Sequence, residues 1–237
     1  MTEIALIGKK IGMTREFYKT GQLVPVTVLK VEKATESIVR ITMDDEKTGN
    51  SLSDQMISLL SSIIKEVSVD KSIKVIVIAA TGKIFCSGHN LKEITAAREN
   101  NDQGESYFRD LFESCSTLMQ SIVNCPKPVI AEIDGIATAA GCQLVASCDL
   151  AVASDSSSFA TPGVNLGLFC STPMVALSRN VKKKDAMKML LTGDMIDSAE
   201  AKRISLINDH VPSENLSTEV MELANKIASK SMQTVKI

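Results

Sequence analysis

The sequence predicts an α/β layered fold. Strand, turn and helix recur in that order, and apolar runs of five to six residues alternate with longer stretches of helical periodicity. Two strand ends carry small-residue turns, Ser87-Gly88-His89 and Thr138-Ala139-Ala140-Gly141, each leading into a predicted helix. Turns of this kind let the main chain approach a ligand closely and point unpaired N–H groups at it.

The chain has 237 residues, 44% of them hydrophobic, enough for one large domain with a sizeable core. Aromatic residues are only 3% and Trp is absent, so the core is expected to be aliphatic, with 11 Met filling irregular gaps. A net charge of −2, from 26 basic and 28 acidic residues, gives no global field favouring nucleic acid or an anionic membrane. Any recognition of phosphate must therefore be local. The six cysteines (Cys86, Cys115, Cys125, Cys142, Cys148 and Cys170) form no CxxC pair and follow no secretory segment. They read as reduced thiols in a cytoplasmic or other reducing compartment such as the mitochondrial matrix. No apolar run approaches the length that spans a bilayer, and no membrane partner is expected.

Val24 to Lys33 alternates and is rich in β-formers, so it is expected to pair with Ser37 to Met43 as the opening strands. Ser51 and Asp54 form a capping-box-like start. The helix that follows keeps Leu52, Met56, Leu59, Leu60, Ile63, Ile64 and Val67 on one face. Lys74 to Ala79 reads as a strand buried on both faces. A helix is predicted over Glu105 to Val123, ending before Pro126 and Pro128, and then a strand over Val129 to Ile133. Ala140 to Ser147 is expected as a short helix and Leu150 to Ala153 as a strand. Helices over Lys182 to Leu191 (closed by Gly193), Ala199 to Arg203 and Glu214 to Ala228 complete the reading.

Two backbone amides aimed at one carbonyl oxygen would stabilise the negative charge that develops on a thioester during reaction. At these residues the chain resembles the crotonase (enoyl-CoA hydratase/isomerase) superfamily, specifically its branch of enoyl-CoA hydratase domain-containing protein three. The resemblance runs from about Glu36 to the C-terminus. It is carried in order by Asn50-Ser51-Leu52-Ser53, Ser87-Gly88-His89, Ala139-Ala140-Gly141-Cys142, Cys148-Asp149 and Phe159-Ala160-Thr161-Pro162-Gly163. It implies a crotonase-like spiral of ββα units over residues 35–237, with a C-terminal helical segment cut short, and a trimer or hexamer that this shortening puts in question. Residues 1–34 resemble instead the N-terminus of bacterial large-subunit ribosomal protein three, as in a fusion. This segment is expected to supply a strand; an RNA-associated role is the rival reading, but with five basic residues before Val31 no nucleic-acid partner is expected.

The same resemblance assigns the oxyanion hole to the amides of His89 and Ala140, and an acyl-CoA thioester as partner. Coenzyme A then belongs to the substrate and no separate cofactor or metal is implied. Substrate contacts are assigned to Cys86, Ser87, Gly88, Asn90, Leu91, Lys92, Gly141, Cys170 and Ser171. The two glutamates with which hydratases of the superfamily handle water correspond to Gln143 and Gly163. An amide and a bare backbone cannot serve as general bases, so ordinary hydration is expected to be weak or absent. Thioester chemistry without that pair, a non-catalytic acyl-CoA binder and a degenerate fusion product all remain open. So do two roles for the His89 ring, near the thioester or in packing. Gln143 is expected either to hold a water or substrate carbonyl or to satisfy a neighbour. Cys170 reads as a small buried thiol, with a nucleophile as the alternative. Lys92 reads either as a phosphate contact or as a solvated lysine, Lys182 to Lys184 as a solvated face, and His210 as a loop histidine.

Overall fold

A computed structural model describes residues 29–235. Its strands are β1 (Leu29–Lys33), β2 (Ile38–Met43), β3 (Val75–Ala80), β4 (Ile84–Cys86), β5 (Val129–Ile133), β6 (Ile136–Thr138), β7 (Leu150–Ser154), β8 (Ser158–Ala160), β9 (Ile196–Asp197) and β10 (Asp209–Val211). Its helices are α1 (Asp54–Val69), α2 (Leu91–Ala97), α3 (Glu105–Val123), α4 (Ala140–Ser147), α5 (Ser171–Asn180), α6 (Lys183–Thr192), α7 (Ser198–Arg203), α8 (Ser213–Ala228) and α9 (Met232–Val235).

Paired strands followed by helices are the repeating unit: β3-β4 precedes α2 and α3, β5-β6 precedes α4, and β7-β8 precedes α5. The first strand of each pair joins a six-stranded sheet in the order β1-β2-β3-β5-β7-β10; the second joins a four-stranded sheet, β4-β6-β8-β9. Pairing from β2 through β10 is parallel, whereas β1 runs antiparallel to β2, with Leu29 opposite Met43 and Lys33 opposite Val39. The expected opening hairpin is therefore present from Leu29 onward. Residues 1–28, which carry most of the ribosomal-protein-like segment, lie outside the described residues.

The alternation along β3 explains why its sequence is continuously apolar. Ile76 and Ile78 face the main core with Met56, Leu60 and Ile64 of α1 and Leu118 of α3. Val75 and Val77 face a second core beneath α8, with Leu216, Val220 and Ala224. A strand covered by helices on both faces has no polar side to show. On the α8 side Arg40 of β2 reaches across β3 to an ion pair with Glu132 of β5 and donates to Ser217 Oγ at 3.0 Å.

Three expectations need correction. The cap of α1 is Ser53, whose side chain accepts the Met56 N–H at 3.1 Å. Ser51 is buried, with its hydroxyl unpartnered among the described residues. A cap must stand in extended backbone immediately before the first turn, and Ser51 lies two residues too early. His210 is in strand β10 rather than a loop, with Nδ1 2.5 Å from Asp155 Oδ1. Helix α5 was not read from the sequence, because its apolar pattern is short and broken, and α2 was expected after the first turn without bounds.

Asn50 ties the entrance of α1 to the first turn. It is fully buried, and its Nδ2 donates to the carbonyls of Thr81 at 2.9 Å and Ile84 at 2.7 Å. Its Oδ1 accepts the Asp45 N–H at 2.8 Å, and its φ of 50° is one that asparagine tolerates better than most residues. Replacing Asn50 with Ala would remove the side-chain partner of three part-buried backbone groups. The expected cost is about 3 kcal/mol, read as a lowered denaturation midpoint with an unchanged slope. A loss under about 1 kcal/mol would show that these bonds do not hold the turn.

Candidate functional site

The two small-residue turns meet face to face. Gly88 follows β4 with φ at 92°, and a Cβ placed on it would lie 3.0 Å from Ala139 Cβ and 3.3 Å from the Ala140 nitrogen. Gly141, in the first turn of α4, is pressed still closer, since a Cβ there would fall 2.1 Å from the Cys86 carbonyl oxygen. Only glycine permits this approach. The first turn is pinned by three bonds: Ser87 N–H to the Gly49 carbonyl (3.0 Å), Leu52 N–H to the Gly88 carbonyl (2.8 Å) and Thr138 Oγ1 to the Ser87 carbonyl (3.1 Å).

The amides of His89 and Ala140 take part in none of the turn, loop or cap hydrogen bonds among the described residues. Ala140 opens α4, where the first N–H groups have no partner within the helix. The local strain falls on the preceding residue: Ala139 has φ 52° and ψ −119°, a region that side chains other than glycine occupy at a cost of roughly 1–3 kcal/mol. Ala139 is held there by its N–H to the Ala160 carbonyl (3.0 Å) and its carbonyl to the Gln143 N–H (3.1 Å). Strain kept in place by surrounding bonds beside two unused amides is a mark of a functional turn.

The remaining residues fall into three groups. Ser87 spends its hydroxyl on the Thr48 carbonyl at 3.2 Å, and Asn90 caps α2 by accepting the Lys92 N–H at 3.0 Å. Leu91, Lys92 and Ser171 are exposed. Lys182 to Lys184 are exposed as well, as a solvated face requires. Cys86 and Cys142 are wholly enclosed, and burial pushes each thiol up to about 12.

Gln143 lies one helical turn from Ala140, so both stand on one side of α4. It is 6% exposed, and its Oε1 has no partner among the described residues. It borders a cavity of about 720 Å³ between α3, α4 and α5, with Phe112, Cys115, Met119, Thr172 and Val175 among the lining residues. Phe112 in turn touches the His89 ring edge to face, the centroids 5.9 Å apart. Both His89 ring nitrogens are buried, and among the described residues neither makes a hydrogen bond of good geometry, although the Leu52 carbonyl lies near the ring. Burial lowers this imidazole's pKa below its ordinary value, with the Leu52 carbonyl and the Asp54 charge opposing. Beside it, Glu93 Oε2 accepts the Asp54 N–H at 3.1 Å and the Tyr107 hydroxyl donates to Asp54 Oδ1 at 3.2 Å. Burial and the Asp54 charge raise the Glu93 pKa, while its hydrogen bonds oppose them.

Gly163 is buried where β8 leads into a short 3-10 turn, and Cys170 fills the space beside it. The Gly163 N–H donates to Cys170 Sγ at 3.3 Å. A Cβ on Gly163 would fall 2.3 Å from the Leu168 carbonyl oxygen and 2.7 Å from that sulfur. Burial raises the Cys170 pKa, and neither histidine is bonded to it, so it is a buried thiol and not an activated nucleophile. Sequence reasoning gave no role to Asn50, Thr138, Phe112 or the Asp54–Glu93–Tyr107 cluster. Only Asn50, beside Gly49 in a turn, carries a local signal.

Residues 33–237 match the family described as enoyl-CoA hydratase/isomerase. Over 202 residues the chain is 50% identical to enoyl-CoA hydratase domain-containing protein 3, mitochondrial, of Mus musculus, covering 85% of this chain and 66% of that protein. It is 33% identical over 197 residues to the probable mitochondrial enoyl-CoA hydratase of Dictyostelium discoideum, covering 82% and 68%. The crystal structure of human enoyl coenzyme A hydratase domain-containing protein 3 superposes with a TM-score of 0.82 at 48% identity, covering 87% of this chain and 79% of that one. That of an enoyl-CoA hydratase of Mycobacterium smegmatis gives 0.83 at 41%, covering 90% and 80%.

The packing around Gly163 makes a direct demand. Gly163→Ala is expected to destabilise the fold by about 2 kcal/mol, because the Leu168 backbone must move, and a calorimetric melt checks it. An unchanged melting temperature would mean that the Leu168 turn yields freely. The same overlap argues that a glutamate at this position does not fit the present loop.

Proposed function

The chain belongs to the enoyl-CoA hydratase/isomerase family, and from that premise we propose that it binds acyl-CoA thioesters, with the thioester oxygen held between the N–H groups of His89 and Ala140. The observation that supports this reading is the contact of the Gly88 turn with the Ala139-Ala140 turn, where the amides of His89 and Ala140 both take part in no turn, loop or cap hydrogen bond among the described residues. Such donors act on charge that develops in the transition state, and one of them is typically worth roughly 3–4 kcal/mol. The cavity beside Gln143 offers Phe112, Met119 and Val175 to an acyl chain and Arg179 and Asn180 to a polar group, in keeping with a thioester ligand and a role in fatty-acid metabolism.

Water addition is not the reaction this site is built for. It needs positioned groups to activate water and to protonate carbon, and residues 143 and 163 supply an amide and no side chain. Cys170 and the Leu168 carbonyl occupy the space a side chain at 163 would need. Six free thiols accord with a reducing compartment, and relatives named as mitochondrial support the mitochondrial matrix as that compartment. No described helix is long and apolar enough to cross a membrane. For the N-terminal segment we favour a strand-supplying role over RNA association, because Leu29–Lys33 pairs along its whole length with β2.

Calorimetric titration with acetoacetyl-CoA, whose enolate suits two amide donors, is expected to give a dissociation constant near ~10 μM, about −7 kcal/mol, and markedly weaker binding of free CoA. Equal affinity for both would remove the thioester oxygen from the account. Hydration of crotonyl-CoA is expected near background and to rise in Gln143→Glu. High hydratase activity in the unaltered chain would contradict this reading.

A further inference from the structure

We propose that the cavity between α3, α4 and α5 selects acyl chains that end in a carboxylate, with Arg179 receiving that end. The ligand class of the site is then the medium-chain dicarboxylic acyl-CoA thioester. The proposal rests on the thioester reading above and names the acyl group which that reading leaves open.

The cavity has two kinds of wall. Phe112, Met119 and Val175 give it apolar surface, whereas Asn124, Arg179 and Asn180 give it polar groups. A saturated chain ending in a methyl group uses only the first kind. A guanidinium beside an apolar channel calls for an anionic end, because its planar fork of N–H donors matches a carboxylate. The volume of about 720 Å³ lies within the range of roughly 300–1,000 Å³ common to small-ligand sites.

Arg179 has nothing else to bind. It is exposed in the last turn of α5, and the ion pairs among the described residues leave it out. Asp149, the acidic residue in the same lining, is committed through Oδ2 to the Val129 N–H at 2.7 Å. Lys202, which lines the adjoining cavity with Asp149 and Asn180, is held by Asp209 at 2.6 Å. Arg179 is thus the cation left to meet a ligand.

The spacing sets the chain length. Asn180, next to Arg179, donates from Nδ2 to the Ala146 carbonyl at 2.7 Å and so docks the end of α5 on the second turn of α4. Helix α4 starts at Ala140, whose amide holds the thioester oxygen in this reading. With a rise of 1.5 Å per residue, Ala146 lies about 9 Å farther along the axis, with Gln143 midway. Roughly seven carbon–carbon bonds in zigzag, of about 1.5 Å each, cover that distance. This is the separation of the two carboxyl carbons in suberic acid. A cation at the negative pole of α5 also favours the helix itself, but that role would not distinguish one ligand from another.

The test is calorimetric titration with suberyl-CoA and octanoyl-CoA, equal in carbon count and different in the terminal group, on the unaltered chain, Arg179→Gln and Arg179→Lys. The unaltered chain is expected to bind suberyl-CoA about tenfold more tightly than octanoyl-CoA. Arg179→Gln should abolish that preference, while octanoyl-CoA, which offers Arg179 no carboxylate, shifts by less than about threefold. Arg179→Lys keeps the charge without the fork and should retain part of the preference. Equal affinity of the unaltered chain for the two thioesters would overturn the proposal and leave the thioester reading standing. So would an Arg179→Gln variant that keeps the preference. A variant that weakens both ligands equally would overturn it too, since Arg179 would then hold a phosphate of coenzyme A or the fold. If neither thioester bound the folded, unaltered chain, the proposal would fail together with the reading beneath it.

Discussion

The site depends on a main-chain contact that no side chain can enter. Where Gly141 meets the Cys86 carbonyl, a Cβ would sit at 2.1 Å, and where Gly88 meets Ala139 it would sit at 3.0 Å. Each contact locks the end of one ββα unit against the next. Strand β4 and helix α4 therefore arrive at a fixed separation, with the unused amides of His89 and Ala140 at the meeting of the two turns. The rest of the architecture supplies the force. Parallel strands buried on both faces hold β3 and β5 in register, and the second strand of each pair is carried into place by the first.

Around that fixed pair of amides the polar chemistry is sparse. Asn50, Ser87 and Thr138 spend their side chains on backbone carbonyls, which makes them supports of the turn. At residue 163 the sulfur of Cys170 has taken the available space, so the chain does not hold an empty slot awaiting a carboxylate. Among the described residues the Gln143 oxygen is left unpaired at the edge of the cavity between α3, α4 and α5, and the His89 ring packs against Phe112, one of that cavity's walls.

Much of the fold was legible because its signals are local. The continuous apolar run of β3, the helical stripe of α1 and α3 and the Gly193 closure of α6 are set by residues close in sequence. The Gly88 and Ala140 turns were legible as a pair only through the order of motifs along the chain. Other features depend on partners far away in sequence and left no periodic trace: the strained φ at Ala139, the contact of His89 with Phe112, and the filling of the residue 163 region by Cys170. Helix α2 was expected after the first turn but without bounds, because its start is set by Asn90, whose capping role is visible only once the chain turns.

The function of the two turns hinges on whether their amides grip a thioester oxygen. The most direct measurement is the carbonyl stretch of an acyl-CoA thioester bound to the protein, by infrared difference spectroscopy with a carbon-13 label at the carbonyl. Two N–H donors would polarise the bond and move the band to lower frequency than in water. A bound thioester whose carbonyl band matches that of the free ligand in water, or lies above it, would contradict the oxyanion-hole account, whatever else the cavity holds.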